Sequence, residues 1–384
     1  MAKRIAAGCL AAVLCAGLAF PAAAGSPEFA RSAEEWARLR DDKLEFDEIS
    51  GLVHEYNNTV IQNQIEYEDY RGEDKDDIAD DYYDAANDIR NSIEYPAVDD
   101  ANYASGLSAA LSSELQADKL QEQGDDNIDD GDIKKLGYDQ TEAGLVKQAQ
   151  ELMITYWSQT YTLESLKESE KLAAQSCQSE ETKLAAGMST QSAVLSAKEA
   201  LSSAQAAIIT AQSNLDSTRQ QLCLMLGWAY GADVEICQVP EPDLAAMEAV
   251  DLDADIAKAL ENNYDIKITQ RRVENATAGY TKSSQEQTLK SQTEAAAGSV
   301  KSAYSGMMLA KSDYEQAKQA YDLEKANYDA ASRKLAAGVM TQNEFNTQES
   351  SYRTAQVNVQ TSQLALLTAQ VDYYWAVNGL AATS

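Results

Sequence analysis

The chain has 384 residues, 62 acidic side chains against 31 basic ones, a formal charge of −31, one histidine and five prolines. The charge argues against binding nucleic acid or anionic lipid through a basic surface. The lone histidine, His54, excludes His-based metal sites and the Ser/His and Cys/His nucleophile systems, which need a correctly placed imidazole.

The chain opens on a targeting pattern. Lys3 and Arg4 precede an apolar run from Ile5 to Phe20, which ends in Pro21-Ala22-Ala23-Ala24-Gly25. A charged start, a secretory-length apolar core and a small-residue cleavage site predict a signal peptide over residues 1–24 and export of the rest. The competing reading, one membrane anchor, suffers from a run that is short for a span. Lipidation at Cys9 or Cys15 is weaker, because neither has a leucine three residues before it. No later stretch approaches a membrane-spanning apolar run.

Pro96 stands alone and Pro240 and Pro242 sit together, so the long stretches between them are free to be helix. Past the leader, Cys177, Cys223 and Cys237 form neither a dense disulfide framework nor a CxxC metal or redox site. Cys177 and Cys223 read as buried small residues. The spacing also leaves open a Cys223–Cys237 bridge across the turn after Gly227.

An internal repeat organises the chain. Lys183-Leu184-Ala185-Ala186-Gly187-Met188-Ser189-Thr190-Gln191 recurs as Lys334-Leu335-Ala336-Ala337-Gly338-Val339-Met340-Thr341-Gln342, an offset of 151 residues. Downstream, Ala204-Gln205, Thr210, Gln212 and Leu215 match Ala355-Gln356, Thr361, Gln363 and Leu366 without a gap. A repeat this long is a supersecondary unit used twice. Before the second Gly, Met307, Ala310, Tyr314, Ala317, Tyr321, Glu324, Tyr328, Ala331 and Leu335 alternate at spacings of three and four, and only Glu324 breaks the apolar seam. That is a heptad stripe, predicting a coiled-coil helix.

Each repeat therefore reads as helix, tight Gly turn, helix. Gly187 and Gly338 take the left-handed position that ends the first helix, and Ser189/Thr190 and Thr341 cap the second. A helix from about Ser291 to Leu335 is roughly 65 Å long, with a returning helix of similar length. A weaker repeat precedes each hairpin: Leu252–Ile266 and Phe46–Ile61 both read as a short amphipathic helix, an Asn-Asn break and a second amphipathic helix. Their offset is about 206 residues, so the first half holds some 55 extra residues between Tyr70 and Tyr138. The expected organisation is a leader over 1–24, a first repeat over 25–239 with an acidic insert at about 70–138, a linker over 240–249 and a second repeat over 250–384.

With these features the sequence resembles the TolC-type outer-membrane efflux protein family. The features are the duplicated architecture, the ALxNN break at Ala259–Asn263, the G-x-x-T hairpin turns, and Ala/Gln-rich returning helices ending near Leu226-Gly227 and Asn378-Gly379. The resemblance implies an all-α chain of two long antiparallel hairpin repeats that assembles as a homotrimeric α-barrel in the cell envelope, at the outer membrane or in the periplasm. It also implies tips, here Gly187, Met188, Ser189, Thr190, Gly338, Val339, Met340 and Thr341, that dock on a periplasmic adaptor linked to an inner-membrane transporter. No cofactor, catalytic residue, metal ligand or nucleic acid is implied. The family gates its tip with acidic residues after the second turn. Glu344 falls on the first such position, Thr347 on the second, and Ala193 stands at the first-repeat equivalent of Glu344. The plain alternative for Glu344 is a solvated helix residue.

The sequence departs from the family where membrane strands are expected. A barrel strand needs about ten residues of alternating character. Gln285–Gly298 shows none, so the chain passes directly from one helix to the next. Glu66–Asp100 is packed with carboxylates against Arg71, Lys75 and Arg90, and Ser105–Gln123 reads as an ordinary helix. Within this stretch the cluster around Glu73–Asp81 reads as a solvated linker, with loose cation or adaptor binding as the alternative. Asp125–Asp132 resembles a calcium loop but has Asp130 where Gly is needed and Leu136 where Glu is needed, so a solvated acidic loop is expected. Two functional readings remain: an exported TolC-like efflux or type I secretion conduit, or a non-conducting cell-envelope coiled-coil scaffold. An enzyme ranks third.

Overall fold

The computed structural model describes residues 30–99, 101–277 and 279–384, so the expected leader at 1–24 lies outside the described residues. The chain is helical almost throughout: α1 (Ala33–Leu39), α2 (Ile49–Tyr56), α3 (Asn58–Tyr70), α4 (Lys75–Ser92), α5 (Tyr103–Asp125), α6 (Gly131–Ala185), α7 (Gln191–Met225), α8 (Leu244–Glu248), α9 (Leu252–Asn262), α10 (Tyr264–Asn275), α11 (Tyr280–Ala336) and α12 (Gln342–Trp375). Among the described residues the strands are β1 (Lys43–Leu44) and β2 (Glu235–Ile236), which pair in parallel. No described helix is long and apolar enough to cross a membrane. Two compact units divide the chain, and each draws segments from both halves of the sequence.

Among the described residues the larger unit comprises 30–58, 142–263 and 293–384. It contains the two hairpins, α6/α7 and α11/α12. Every residue of the heptad stripe from Met307 to Leu335 is buried or half-buried, Glu324 included. Glu324 tolerates this position because Gln348 of α12 donates to its carboxylate at 2.6 Å. Nearer the turn, Tyr328 stacks on Tyr352 at 4.9 Å between ring centroids and also meets Phe345, while the Tyr321 and Tyr352 hydroxyls lie 3.2 Å apart. Offset aromatic pairs add about 0.5–1.5 kcal/mol beyond area burial, so tyrosine does here what leucine does in an ordinary seam.

Hairpin joins hairpin through α6 and α12. Ile154 of α6 packs with Leu364, Leu367 and Val371 of α12, with Trp157, Tyr161 and Trp375 against them. Lys147 pairs with Asp372 at 2.6 Å, and the Trp375 indole donates to Gln150 at 2.8 Å. Since α7 also meets α6 (Gln205 to Glu170, Lys198 to Glu181) and α11 meets α12, the contacts run α7–α6–α12–α11. Leu195 and Ile209 on α7, and Leu309 and Leu323 on α11, remain exposed on the outer helices.

The returning helices are shorter than their partners, which corrects the expectation of similar lengths. α6 and α11 have 55 and 57 residues, against 35 and 34 for α7 and α12. Both long helices start in the smaller unit, and α11 absorbs the whole Gln285–Gly298 stretch as helix. Nothing there removes a backbone donor, so the helix propagates well upstream of the heptad stripe.

The smaller unit takes in Thr59–Thr141 and Tyr264–Gln292 among the described residues. Here the acidic stretch expected as a solvated linker is instead helix α4. Asp74 and Asp77 form a capping box at its start, satisfying orphan N–H groups with the same acidic residues that read as a solvated linker. Carboxylates at a helix N-terminus are also favoured by the helix dipole. Ile78, Ala79 and Ala86 of α4 are buried, as are Ala110, Ala117 and Gly124 of α5, and Arg90 bridges to Asp118 and Gln121 at 2.8 Å. A Cβ at Gly124 would sit 2.6 Å from the Tyr83 ring, so the close approach of the two helices requires glycine there.

Candidate functional site

The two tips have the same backbone. At the first, Gly187 takes φ +73°, its N–H donates to the Leu184 carbonyl at 2.9 Å, and the Met188 N–H donates to Lys183 at 2.8 Å. At the second, Gly338 takes φ +72°, with matching bonds to Leu335 and Lys334, both 3.0 Å. This is the Schellman arrangement, in which a left-handed residue lets the last carbonyls of the helix be satisfied. No other heavy atom lies within 4 Å of a Cβ built on either glycine, so backbone conformation alone demands the residue. The side chains beyond it are left in solvent: Met188 is 75% exposed and Val339 73%.

The helix starts differ in detail. Thr190 and Thr341 cap α7 and α12, accepting from the Ala193 and Glu344 N–H groups. Ser189, named beside Thr190 as a cap, instead donates its hydroxyl to Glu180 at 2.6 Å, and Lys183 holds the other oxygen of that carboxylate at 2.6 Å. Lys183 and then Ser189 draw the Glu180 pKa below its ordinary value. At the second tip Glu344 completes a capping box: its carboxylate accepts from the Thr341 N–H and hydroxyl, both 2.8 Å. Those two bonds, the backbone one first, lower its pKa. The candidate gate residue is thus also a structural cap, a role that Ala193 cannot fill at the first tip. Met340 lies half-buried beside exposed Val339.

Both Asn-Asn breaks fall where expected, and each fastens a helix pair. Asn57 ends α2 and donates to the Met225 carbonyl at the end of α7, while Asn263 ends α9 and donates to Ala381 beyond α12, both at 2.8 Å. Gly227, at φ +88°, allows the close approach at the first joint, since a Cβ there would meet the Tyr56 Cβ at 2.4 Å. The sequence marked these asparagines as breaks. Their partners some 120 to 170 residues away left no local trace.

The Asp125–Asp132 segment corrects a further expectation. Rather than a solvated loop, Asp129 receives the Arg272 guanidinium through two bonds of 2.7 and 3.0 Å, and Asp130 receives Arg271 at 2.7 Å and Asn275 at 2.7 Å. Asp130 is 3% exposed. Burial pushes its pKa up, but Asn275, the Ile133 N–H and Arg271 together outweigh burial and hold it below the ordinary value. Adjacent aspartates facing adjacent arginines in α10 were the available signal. Among the described residues, no group of three or more His, Cys, Asp or Glu side chains is arranged to hold a metal ion.

Cys177 and Cys223 are buried, as expected, and Cys237 is half-buried; all three are free thiols, with no Cys223–Cys237 bridge. Burial raises the Cys223 pKa, making it a poor nucleophile.

Two hairpins of unequal arms, closed by glycine turns and tied to Asn-capped helix pairs, make up the fold of the chain, and solved outer-membrane channel structures share it. Solved structures of that architecture superpose on the chain. For the Campylobacter jejuni CmeC outer membrane channel the TM-score is 0.59 at 10% identity, covering 96% of this chain and 95% of that one. For the Vibrio cholerae outer membrane protein VceC it is 0.55 at 10% identity, covering 91% and 99%. A membrane protein from Pseudomonas aeruginosa gives 0.55 at 12%, covering 88% and 91%. At these identities the likeness is one of fold. No protein-family model and no curated protein matches the sequence.

Proposed function

We propose that the chain is an exported TolC-like component of an efflux or type I secretion system in the cell envelope, at the outer membrane or in the periplasm. Copies assemble as a homotrimer whose hairpins form a helical conduit. The conduit docks through its tips on a periplasmic adaptor connected to an inner-membrane transporter. It conducts solutes without transforming them chemically, so no enzyme activity is assigned.

The observation that carries this reading is the pair of matching tips, alike in backbone and exposed in side chain, on a chain with the fold of outer-membrane channels. The helix order supports a ring. With α7 and α11 outermost and each exposing apolar residues two heptads apart, Leu195 with Ile209 and Leu309 with Leu323, α7 of one copy offers a partner face for α11 of the next. A head-to-tail contact of two different edges closes into a ring when the rotation between copies divides a full turn, as a third of a turn does in a trimer.

Glu344 is proposed as a gate residue. Three copies brought together at a tip would repel one another and raise their pKa values, against the capping bonds that lower it. Glu344→Ala or Glu344→Lys is expected to change conductance or the closed state of the channel. Unchanged conductance removes Glu344 from the gate.

A second reading, a non-conducting envelope scaffold, is favoured by one observation: α4 and α5 stand as helices at the place where the family has membrane strands. Oligomeric state by light scattering, with a low-resolution image, separates the two. A trimer with a central channel supports the conduit, and a monomer or a dimer without one overturns it.

A further inference from the structure

We propose that the second tip is selective for an acidic protein surface, with Arg333 and Lys334 as its contact charges and Val339 as its apolar centre. The inference rests on the tip docking proposed above and deepens it by naming the chemistry of the partner at one tip.

The two tips share a backbone but not a charge pattern. At the first tip the chain meets its own cations: Lys183 pairs with Glu180 at 2.6 Å and Lys198 with Glu181 at 2.8 Å. The offset of 151 residues puts Ala331 and Ser332 where those glutamates stand, and Arg333 where Thr182 stands. The second tip has lost two carboxylates and gained a guanidinium beside Lys334. Arg333 and Lys334 are exposed, and among the described residues neither has an ion-pair partner. The carboxylates nearby are engaged or apart. Glu344 is held by the Thr341 N–H at 2.8 Å, Glu349 pairs with Arg353 at 3.7 Å, and Asp329 forms no ion pair with Arg333. The helix dipole favours cations in the last turn of α11 but leaves their outward charge unmet.

A second copy does not cover this pair in the ring. Arg333 lies five residues before Gly338, whereas Glu199, the first carboxylate on α7, lies twelve residues past Gly187. With α7 of one copy beside α11 of the next, the two charges stand roughly 10 Å apart along the helix axis. A flat anionic lipid surface would span both tips, and the first has its lysine already paired. A protein segment can address the second tip alone, setting carboxylates against Arg333 and Lys334 and an apolar side chain against Val339, which is 73% exposed. The rest of a chain of net charge −31 repels such a segment, so the second tip also fixes where it lands.

The probe is a fluorescent synthetic helical peptide of about 20 residues with Leu and Glu sharing one face, titrated with the full chain. Arg333→Glu with Lys334→Glu is compared with Lys301→Glu with Lys318→Glu, an equal change in net charge on α11 away from the tip. The wild type is expected to bind, more weakly as salt rises, and the tip reversal to lower affinity about tenfold below the comparison pair. Arg333→Gln with Lys334→Gln, which removes the charges without adding repulsion, is expected to act in the same direction and guards against a folding defect. Equal affinities of the tip and comparison variants, or no binding by the wild type, overturn the inference. Flotation with phosphatidylserine vesicles that the tip reversal abolishes assigns the cations to lipid and overturns the protein partner. An assembly larger than a trimer by light scattering, lost on the same reversal, assigns them to a second copy and does likewise. A trimer that ignores the peptide overturns this inference and leaves the conduit standing, whereas a monomer that binds it through Arg333 and Lys334 overturns the conduit alone.

Discussion

Asn263 donates its side-chain amide to the carbonyl of Ala381 at 2.8 Å, and the pair repeats in the other half of the chain as Asn57 to Met225 at the same distance. Each bond ties the end of a short helix to the end of a returning helix 118 or 168 residues later. Asn263 is 1% exposed, so truncation leaves its partner carbonyl without this donor in a site closed to water. Asn263→Ala is expected to destabilise the fold by about 1–3 kcal/mol, and Asn57→Ala by a similar amount. Urea denaturation checks this as a lower midpoint at constant slope, and an unchanged midpoint would show that the joint is held without the asparagine.

Asp130 gives the fold an acid-sensitive point. Its pKa is held below the ordinary carboxylate value of 3.8, so its contribution is fully present above that value and fades as pH falls through the folded-state pKa. Asp130→Asn, which cannot accept the Arg271 bond as an anion, should flatten that part of the acid unfolding curve and lower stability at neutral pH. The same slope in both proteins below pH 4 would assign the acid sensitivity elsewhere.

His54 acts in the opposite sense. Its Nδ1 lies 2.9 Å from Glu142 Oε1, and that hydrogen bond leads the causes that raise its pKa above 6.5, with burial opposing and Glu55 and Arg31 nearby. A raised histidine pKa contributes stability that is complete below 6.5 and is lost as pH rises through the folded value. Thermal melts from pH 5.5 to 8.5 should show a decline across that window that His54→Gln removes. Proton NMR of this single histidine reads the pKa directly, and a value below 6.5 would refute the shift.

At the second tip, Thr341→Ala should loosen the first turn of α12 by about 0.5–2 kcal/mol, the usual worth of a cap. Glu344→Ala removes only the returning half of the box and should cost less. Amide hydrogen exchange over residues 342–346 is the measurement, because the effect is local and global melting will barely move. Equal exchange in wild type and Thr341→Ala would mean that the turn is held by the Schellman bonds alone.

Much of the fold was legible in the sequence because its signals are local. The heptad stripe from Met307 to Leu335 needs only a helical period to be recognised, and Gly187 and Gly338 need only a left-handed turn. The Asn-Asn breaks showed themselves for the same reason. Tertiary structure decided what depends on remote partners. Asp74 to Asp81 looked like a solvated run until α5 supplied a face for Ile78 and Ala86. Asp129 and Asp130 looked like an open acidic loop until Arg272 and Arg271, more than 140 residues away, neutralised them. Leu44 and Ile236 gave no strand signal, because a two-residue bridge has no period to display. The charge of −31 set the question of what a run of acidic residues does in a helical protein. The answer lay in pairing and burial, which bring together residues that composition counts separately.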